Sequence, residues 1–223
     1  MNFENKIQIG IGCYTVSEIA HILQLPYTKV DRWLRVYWDG KLGKQFGEQY
    51  SWKTDRSRAV SFHTLIEFYI MAGLSEAGVK PKQVLNAHKL LSERYATAFP
   101  FAQKKLLEGL KTDGTKIYLT LGEDTLTLDG TDQFNLDLIR LFFKKLDFGS
   151  GNVAERFWPM GKKKSVVIDP KRQMGHPVLA NQNIYPETLF NLYKGGDNVE
   201  FIAYLYELDL KSVKDAIAYS KAA

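Results

Sequence analysis

The stretch that most constrains the fold runs from residue 14 to residue 37: Tyr-Thr-Val-Ser-Glu-Ile-Ala-His-Ile-Leu-Gln-Leu-Pro-Tyr-Thr-Lys-Val-Asp-Arg-Trp-Leu-Arg-Val-Tyr. Thr15 is placed to cap a helix, and Glu18 three residues on completes a capping box. Val16, Ile19, Ala20 and Leu23 then fall on one face at helical spacing. Pro26 disfavours the helical conformation at Leu25, so the first helix stops there. A second helix starts near Thr28, with Val30, Trp33, Leu34 and Tyr37 as its apolar stripe. Two short helices broken in this way form a helix-turn-helix.

With that stripe turned inward, Thr28, Arg32 and Arg35 share the outer face, and Lys29 lies beside them. Arginine pairs bidentately with guanine, while threonine and lysine hold phosphates, so this face suits a DNA major groove. The same residues also fit the solvated side of a plain helical hairpin. Residues 38–60 are rich in glycine and charge. Within them, 49–52 and 58–60 read as two short strands, with 53–57 as the tip. A hairpin directly after a helix-turn-helix has the form of a wing. Its Lys53, Arg56 and Arg58 would reach the phosphate backbone, setting affinity without reading sequence. An ordinary charged loop is the competing interpretation.

Composition adds bounds. A net charge of +5 and a pI near 9.1 permit nucleic-acid binding without demanding it. The single cysteine, Cys13, excludes an internal disulfide and points to the cytoplasm. No long apolar run opens the sequence, so no signal peptide is expected. The run around Phe68–Leu74 is too short to span a bilayer. The four histidines (21, 63, 88 and 176) are isolated, with no cysteine or histidine at ligand spacing. Gly149-Ser150-Gly151 lacks the lysine of a phosphate-binding loop. Glu123, Asp124, Asp129, Asp132 and Asp137 could serve a two-metal nuclease, but acidic residues are common at turns for local reasons. The chain is therefore expected to be no enzyme, with no cofactor and no metal.

The rest of the chain predicts mainly helix with small β elements, an α+β class. Ser61 caps a helix carrying Phe62, Leu65, Ile66, Tyr69 and Ile70. Pro81 opens another, with Val84, Ala87, Leu91 and Tyr95 on one side. Residues 116–129 alternate at period two and read as a hairpin. A helix is expected over Phe134–Leu146. Val166–Ile168 reads as a strand, and Pro186, Asn198 and Asp209 open or cap three helices. The organisation is thus 1–105, a winged helix-turn-helix with following helices; 106–160, a central hairpin and helix; and 161–223, a strand with three helices. One internal echo stands out. Ile19-Ala20, Leu25 and Val30 have the same spacing as Ile202-Ala203, Leu208 and Val213. This predicts a second helix-turn-helix near the other end. Its outer face mixes Lys211 and Lys214 with Asp215 and Glu207, which suits protein contact better than DNA.

These residues carry a resemblance. The opening Tyr14-Thr15-Val16-Ser17-Glu18-Ile19-Ala20, then Arg32-Trp33-Leu34 and a wing, resembles MerR-type regulators. Val60–Glu67 and Phe99-Pro100-Phe101 are similar to one branch of them. From Ile168-Asp169-Pro170 through Gly175-His176-Pro177-Val178-Leu179, Ile184 and Gly196 to Ala216, the chain resembles the small helical module, of unknown function, of VapB-type antitoxins. Asn181, Gln182 and Asn183 stand where that module usually has Gly, Thr and Arg. The resemblance implies an antitoxin and transcriptional autorepressor. Its N-terminal unit would bind operator DNA in its own promoter. Its C-terminal region would hold a PIN-type ribonuclease toxin through Pro177, Val178, Asn181, Asn183 and Ile184. Paired half-sites would call for a homodimer. A scaffold without DNA contact, and a MerR-like regulator without a toxin, are the alternatives.

Overall fold

The computed structural model describes residues 10–46, 49–54, 57–112, 117–121, 124–127 and 142–222. The expected capping box is formed. The Thr15 N–H donates to the Glu18 carboxylate at 2.7 Å, and the Glu18 N–H donates to the Thr15 hydroxyl at 3.3 Å. Helix α1 (Val16–Leu23) buries Val16, Ile19, Ala20 and Ile22. Gln24 ends it in the left-handed conformation, and the Leu25 N–H donates to the Ala20 carbonyl at 2.9 Å. After Pro26 comes α2 (Tyr27–Arg32).

From Trp38 onward the structure departs from the expected glycine-rich loop. The helix continues as a π-helix over Trp33–Gly43 and ends in a last α-turn, α3 (Lys44–Phe46). A π-helix bonds each N–H to the carbonyl five residues back, so a search for a 3.6-residue period does not find it. Gly40 allows the winding: a Cβ there would lie 2.6 Å from the Arg35 carbonyl oxygen. The winding turns Trp33, Leu34, Trp38 and Leu42 inward. Trp38 meets Phe68 edge-on, with ring centres 4.7 Å apart.

Strands β1 (Tyr14–Thr15), β2 (Ser51–Lys53) and β3 (Arg58–Val60) form an antiparallel sheet in the order β1-β3-β2. The hairpin β2–β3 lies where the sequence places it. Ser61 caps α4 (Phe62–Glu76), which is buried almost all round, against α5 (Pro81–Tyr95). Within this core Glu67 and His88 are both fully buried, 3.0 Å apart. The other Glu67 oxygen accepts the Phe101 N–H at 3.0 Å, and the His88 Nδ1 lies 3.3 Å from the Ser92 hydroxyl. Burial pushes the Glu67 carboxyl upward, and His88 with the backbone at Phe101 and Ala102 opposes it. Glu67 thereby pins the Pro100–Ala102 turn, which seats Phe101 in the core.

Helix α6 (Lys104–Gly109) runs into β4 (Leu110–Thr112), which pairs with β5 (Ile117–Leu121); β6 (Asp124–Thr127) pairs on the far side. The expected hairpin is therefore one part of a three-stranded sheet. Most of the helix expected over 134–146 lies outside the described residues, as do Glu123, Asp129, Asp132 and Asp137. Leu146 is not helical: it opens β7 (Leu146–Phe148), paired with β8 (Ala154–Phe157). Two cores result. Phe142, Leu146, Ala154, Phe157 and Ile168 join the first, with the N-terminal helices. The second gathers Val166, Leu179, Leu189, Ile202, Val213 and Ala216. It is built from β9 (Val166–Val167), β10 (Val178–Leu179), α7 (Pro186–Lys194), α8 (Val199–Leu205) and α9 (Leu210–Ala222).

The echo between the two ends is present in the backbone. Glu207 is left-handed like Gln24, with φ of 53° and 54°. The Leu208 N–H donates to the Ala203 carbonyl at 2.8 Å, matching Leu25 to Ala20. The repeated Ile-Ala and Leu thus specify the same helix end twice. The architecture is mainly helical with small antiparallel sheets, an α+β fold. No described helix is long and apolar enough to cross a membrane.

Candidate nucleic-acid interface

The α2 and π-helix segment presents Thr28, Arg32 and Arg35 to solvent, with Lys29 half-buried at its side. Each of the four has its own environment. Arg32 makes no ion pair among the described residues. The Lys29 ammonium lies 5.1 Å from the centre of the Trp33 ring. The Arg35 Nε donates to Asp31 at 2.7 Å, but the Arg35 side chain keeps 59 % of its exposure. An exposed pair four residues apart on a helix contributes only about 0.3–0.5 kcal/mol. A phosphate or a guanine edge can compete with that, so Arg35 remains available.

The wing is less free. The Arg58 guanidinium donates to Asp39 at 2.7 Å and to the Ser51 hydroxyl at 3.0 Å. Asp39 also accepts the Tyr50 N–H at 3.0 Å and the Ser51 hydroxyl. Arg58 therefore anchors the wing to the helix, with its guanidinium engaged by Asp39 and Ser51. Lys53, at the end of β2, is exposed. Arg56 lies outside the described residues. Between helix and wing a cavity of about 530 Å3 is lined by Arg35, Asp39, Gly40, Gly43, Lys44, Gln49 and Arg58. Sequence reading missed Asp39 and Lys44, because both sit in the segment whose winding hides its period. Tyr27 and Val36, exposed apolar residues of the same helical segment, were also missed.

The C-terminal corner differs at its outer face. Aligned on Val30 and Val213, Asp215 takes the place of Arg32. Its carboxylate accepts Lys164 at 2.8 Å, Lys211 at 3.0 Å and the Ser165 N–H at 3.0 Å. Burial works against its ionisation, yet these bonds hold the Asp215 carboxyl below the usual carboxylate range. The segment bearing Lys164 and Ser165 thus folds over the face that would enter a groove. Lys162 is similarly paired with Asp147 at 2.7 Å.

The residues expected to hold a protein partner are dispersed. Val178 is fully buried in β10, opposite Val167, and Ile184 is half-buried against the second core. Val178 presents no side chain to a partner, because the apolar pattern that marks it is that of a core. Pro177 is half-buried, and Asn181 and Asn183 are exposed. Asn183 accepts a hydrogen bond from the Arg172 Nε at 2.9 Å. Arg172 also donates to the carbonyls of Leu179, Ala180 and Gln182, each at 2.9 Å, so it holds the whole loop. Exposed apolar residues of the C-terminal helices lie elsewhere, at Phe201, Tyr204, Leu205 and Leu210, with Tyr204 82 % exposed.

Residues 166–220 match the sequence model of a family described as a protein of unknown function, DUF433. The chain is also 38 % identical over 56 residues to the uncharacterized protein Rv2308 of Mycobacterium tuberculosis. That match covers 25 % of this chain and 24 % of the relative, so the chain spans about a quarter of that relative's length. Over 95 % of its length, the fold is similar to the crystal structure of Rv2018 from Mycobacterium tuberculosis, covering 99 % of that chain with a TM-score of 0.67. The sequences are 15 % identical, so the likeness is one of fold.

Proposed function

We propose that the protein is a cytoplasmic, non-enzymatic DNA-binding antitoxin that represses its own promoter. The N-terminal corner would read operator DNA as a homodimer, and the C-terminal region would hold a PIN-type ribonuclease toxin. The observation carrying the DNA part is the exposed pair Arg32 and Arg35 on a short helix that the Asp39 contacts tie to a hairpin. Helix and hairpin together offer two points of contact to one duplex, one for base edges and one for phosphates. The partner contact is reassigned from the buried Val178 to the apolar face of Phe201, Tyr204, Leu205 and Leu210. The test is fluorescence anisotropy on the DNA upstream of the protein's own reading frame, across a salt series. Saturable binding whose affinity falls with salt supports the reading; a flat titration at low salt overturns it.

A second reading, a protein-interaction scaffold without DNA contact, draws on the same exposed apolar face. It predicts that flat titration together with capture of a partner, lost on Tyr204→Asp.

A further inference from the structure

Aligned on Ile19-Ala20 and Ile202-Ala203, Glu18, His21 and Ile22 of helix α1 take the places of Phe201, Tyr204 and Leu205 of helix α8. In the first corner this face is turned towards the C-terminal unit. Glu18 meets His176 at 3.3 Å, the His21 ring stands edge-on to Tyr219 of α9 at 6.0 Å, and Ile22 is only 6 % exposed. In the second corner the same three positions are 48 %, 82 % and 52 % exposed. Their spacing of three and four residues puts them on one side of α8. A face that meets a helix in one copy of the repeat is therefore left open in the other.

The charges along this open face are all of one sign. From Gly195 to Leu210 the chain carries Asp197, Glu200, Glu207 and Asp209 and no lysine or arginine, although the whole chain has a net charge of +5. Glu200 and Glu207 stand four residues before Tyr204 and three after it. Both are exposed, and neither makes an ion pair among the described residues. The lysines of flanking segments are mostly engaged. Lys162 is bound to Asp147 at 2.7 Å, and Lys164 and Lys211 are bound to Asp215 at 2.8 Å and 3.0 Å. Lys194 lies over the Phe190 ring, 5.6 Å from its centre. Lys163 and Lys214 are exposed without such a pair among the described residues, and both belong to other elements.

Resting on the partner contact assigned above, we propose that this face docks a cationic amphipathic helix of another protein chain. The apolar side of that helix covers Phe201, Tyr204 and Leu205, as ridges of one helix pack into grooves of the next. Its lysines or arginines meet Glu200 and Glu207. Burial of the apolar row supplies affinity, while the carboxylates steer the encounter and reject anionic surfaces.

The probe is a labelled peptide of leucine and lysine, about five helical turns long, with its leucines at helical spacing. Its counterpart carries glutamate for every lysine. Anisotropy titrations of the full-length protein should show the lysine peptide binding about tenfold more tightly than the glutamate peptide, or better. The ring-carbon NMR signal of Tyr204 should shift as the protein saturates. Tyr204→Ser with Leu205→Ser should weaken the lysine peptide by about tenfold, with the melting temperature unchanged, because both side chains are exposed. Glu200→Lys with Glu207→Lys should reverse the preference between the peptides. Equal affinity for the two peptides, an unmoved Tyr204 signal, or undiminished binding by the serine variant overturns the site. No DNA or toxin enters these titrations, so their failure is distinct from failure of the regulator reading, which the promoter titration judges.

Discussion

Asp39 and Arg58, 19 positions apart, are joined by an ion pair of 2.7 Å that fixes the wing to the π-helix. The same carboxylate receives the Tyr50 N–H and the Ser51 hydroxyl. Asp39→Ala leaves a half-buried guanidinium and a backbone N–H without their acceptor. The expected loss is about 2 kcal/mol of stability by urea denaturation. Amide exchange at Tyr50 and Ala59 should quicken more than at Phe68, because the wing is released while the core is not. Equal protection of the wing in the variant would refute this account.

Gly40 sets the π-helix. In Gly40→Ala the new Cβ meets the Arg35 carbonyl at 2.6 Å, a backbone atom that cannot swing aside. The segment must rewind, at a cost of about 1–3 kcal/mol. Urea midpoints measure the loss, and near-ultraviolet circular dichroism reports the displacement of Trp33 and Trp38.

On DNA the two arginines should behave differently. Arg32 has no ion pair to give up among the described residues, whereas Arg35 must leave Asp31. If both contact the duplex, Arg32→Ala costs about 1–3 kcal/mol of affinity. Asp31→Ala, which frees Arg35, should tighten binding and leave the fold intact. Anisotropy titrations with each variant at a fixed salt concentration decide between them.

Asp215 should make stability depend on acid. Its folded carboxyl lies below the ordinary value of 3.8 because the bonds from Lys164, Lys211 and Ser165 outweigh burial. A depressed folded value stabilises above the unfolded value and is lost as pH falls through the folded one. Asp215→Asn should therefore cost the most at neutral pH. That cost is about 2 kcal/mol, less than for a wholly buried pair because both lysines are half exposed. The gap between wild type and variant should close as the pH falls below about 3.8. Urea midpoints across a pH series give the comparison.

What was legible in the sequence is local chemistry of short range. The Thr15–Glu18 box, Ser61, Pro81 and the repeated Ile-Ala and Leu spacing each specify an element boundary by themselves, and each lies where it was read. The segment 38–46 was illegible because the π-helical period hides its pattern, in a winding permitted by a contact between Gly40 and Arg35 that no spacing rule shows. At the interface, sequence identified the charged residues but not their partners. Arg58 and Arg35 look alike in the chain; only the fold commits one to Asp39 of the π-helix and leaves the other on a weak exposed pair. Val178 lies in the core, because an apolar residue in a family motif marks a core as readily as a contact.

Tyr14 is enclosed by groups from far along the chain. A Cβ on Gly175 would stand 2.1 Å from its hydroxyl, and the Cys13 N–H donates to the Met174 carbonyl at 3.1 Å. Contacts so distant close late and slowly. On the ribosome, the first helical corner emerges with this tyrosine uncovered and stays unfinished until the stretch around Met174 and Gly175 has been translated. A nascent chain arrested before that point would lack the cover that completes the corner's inner side.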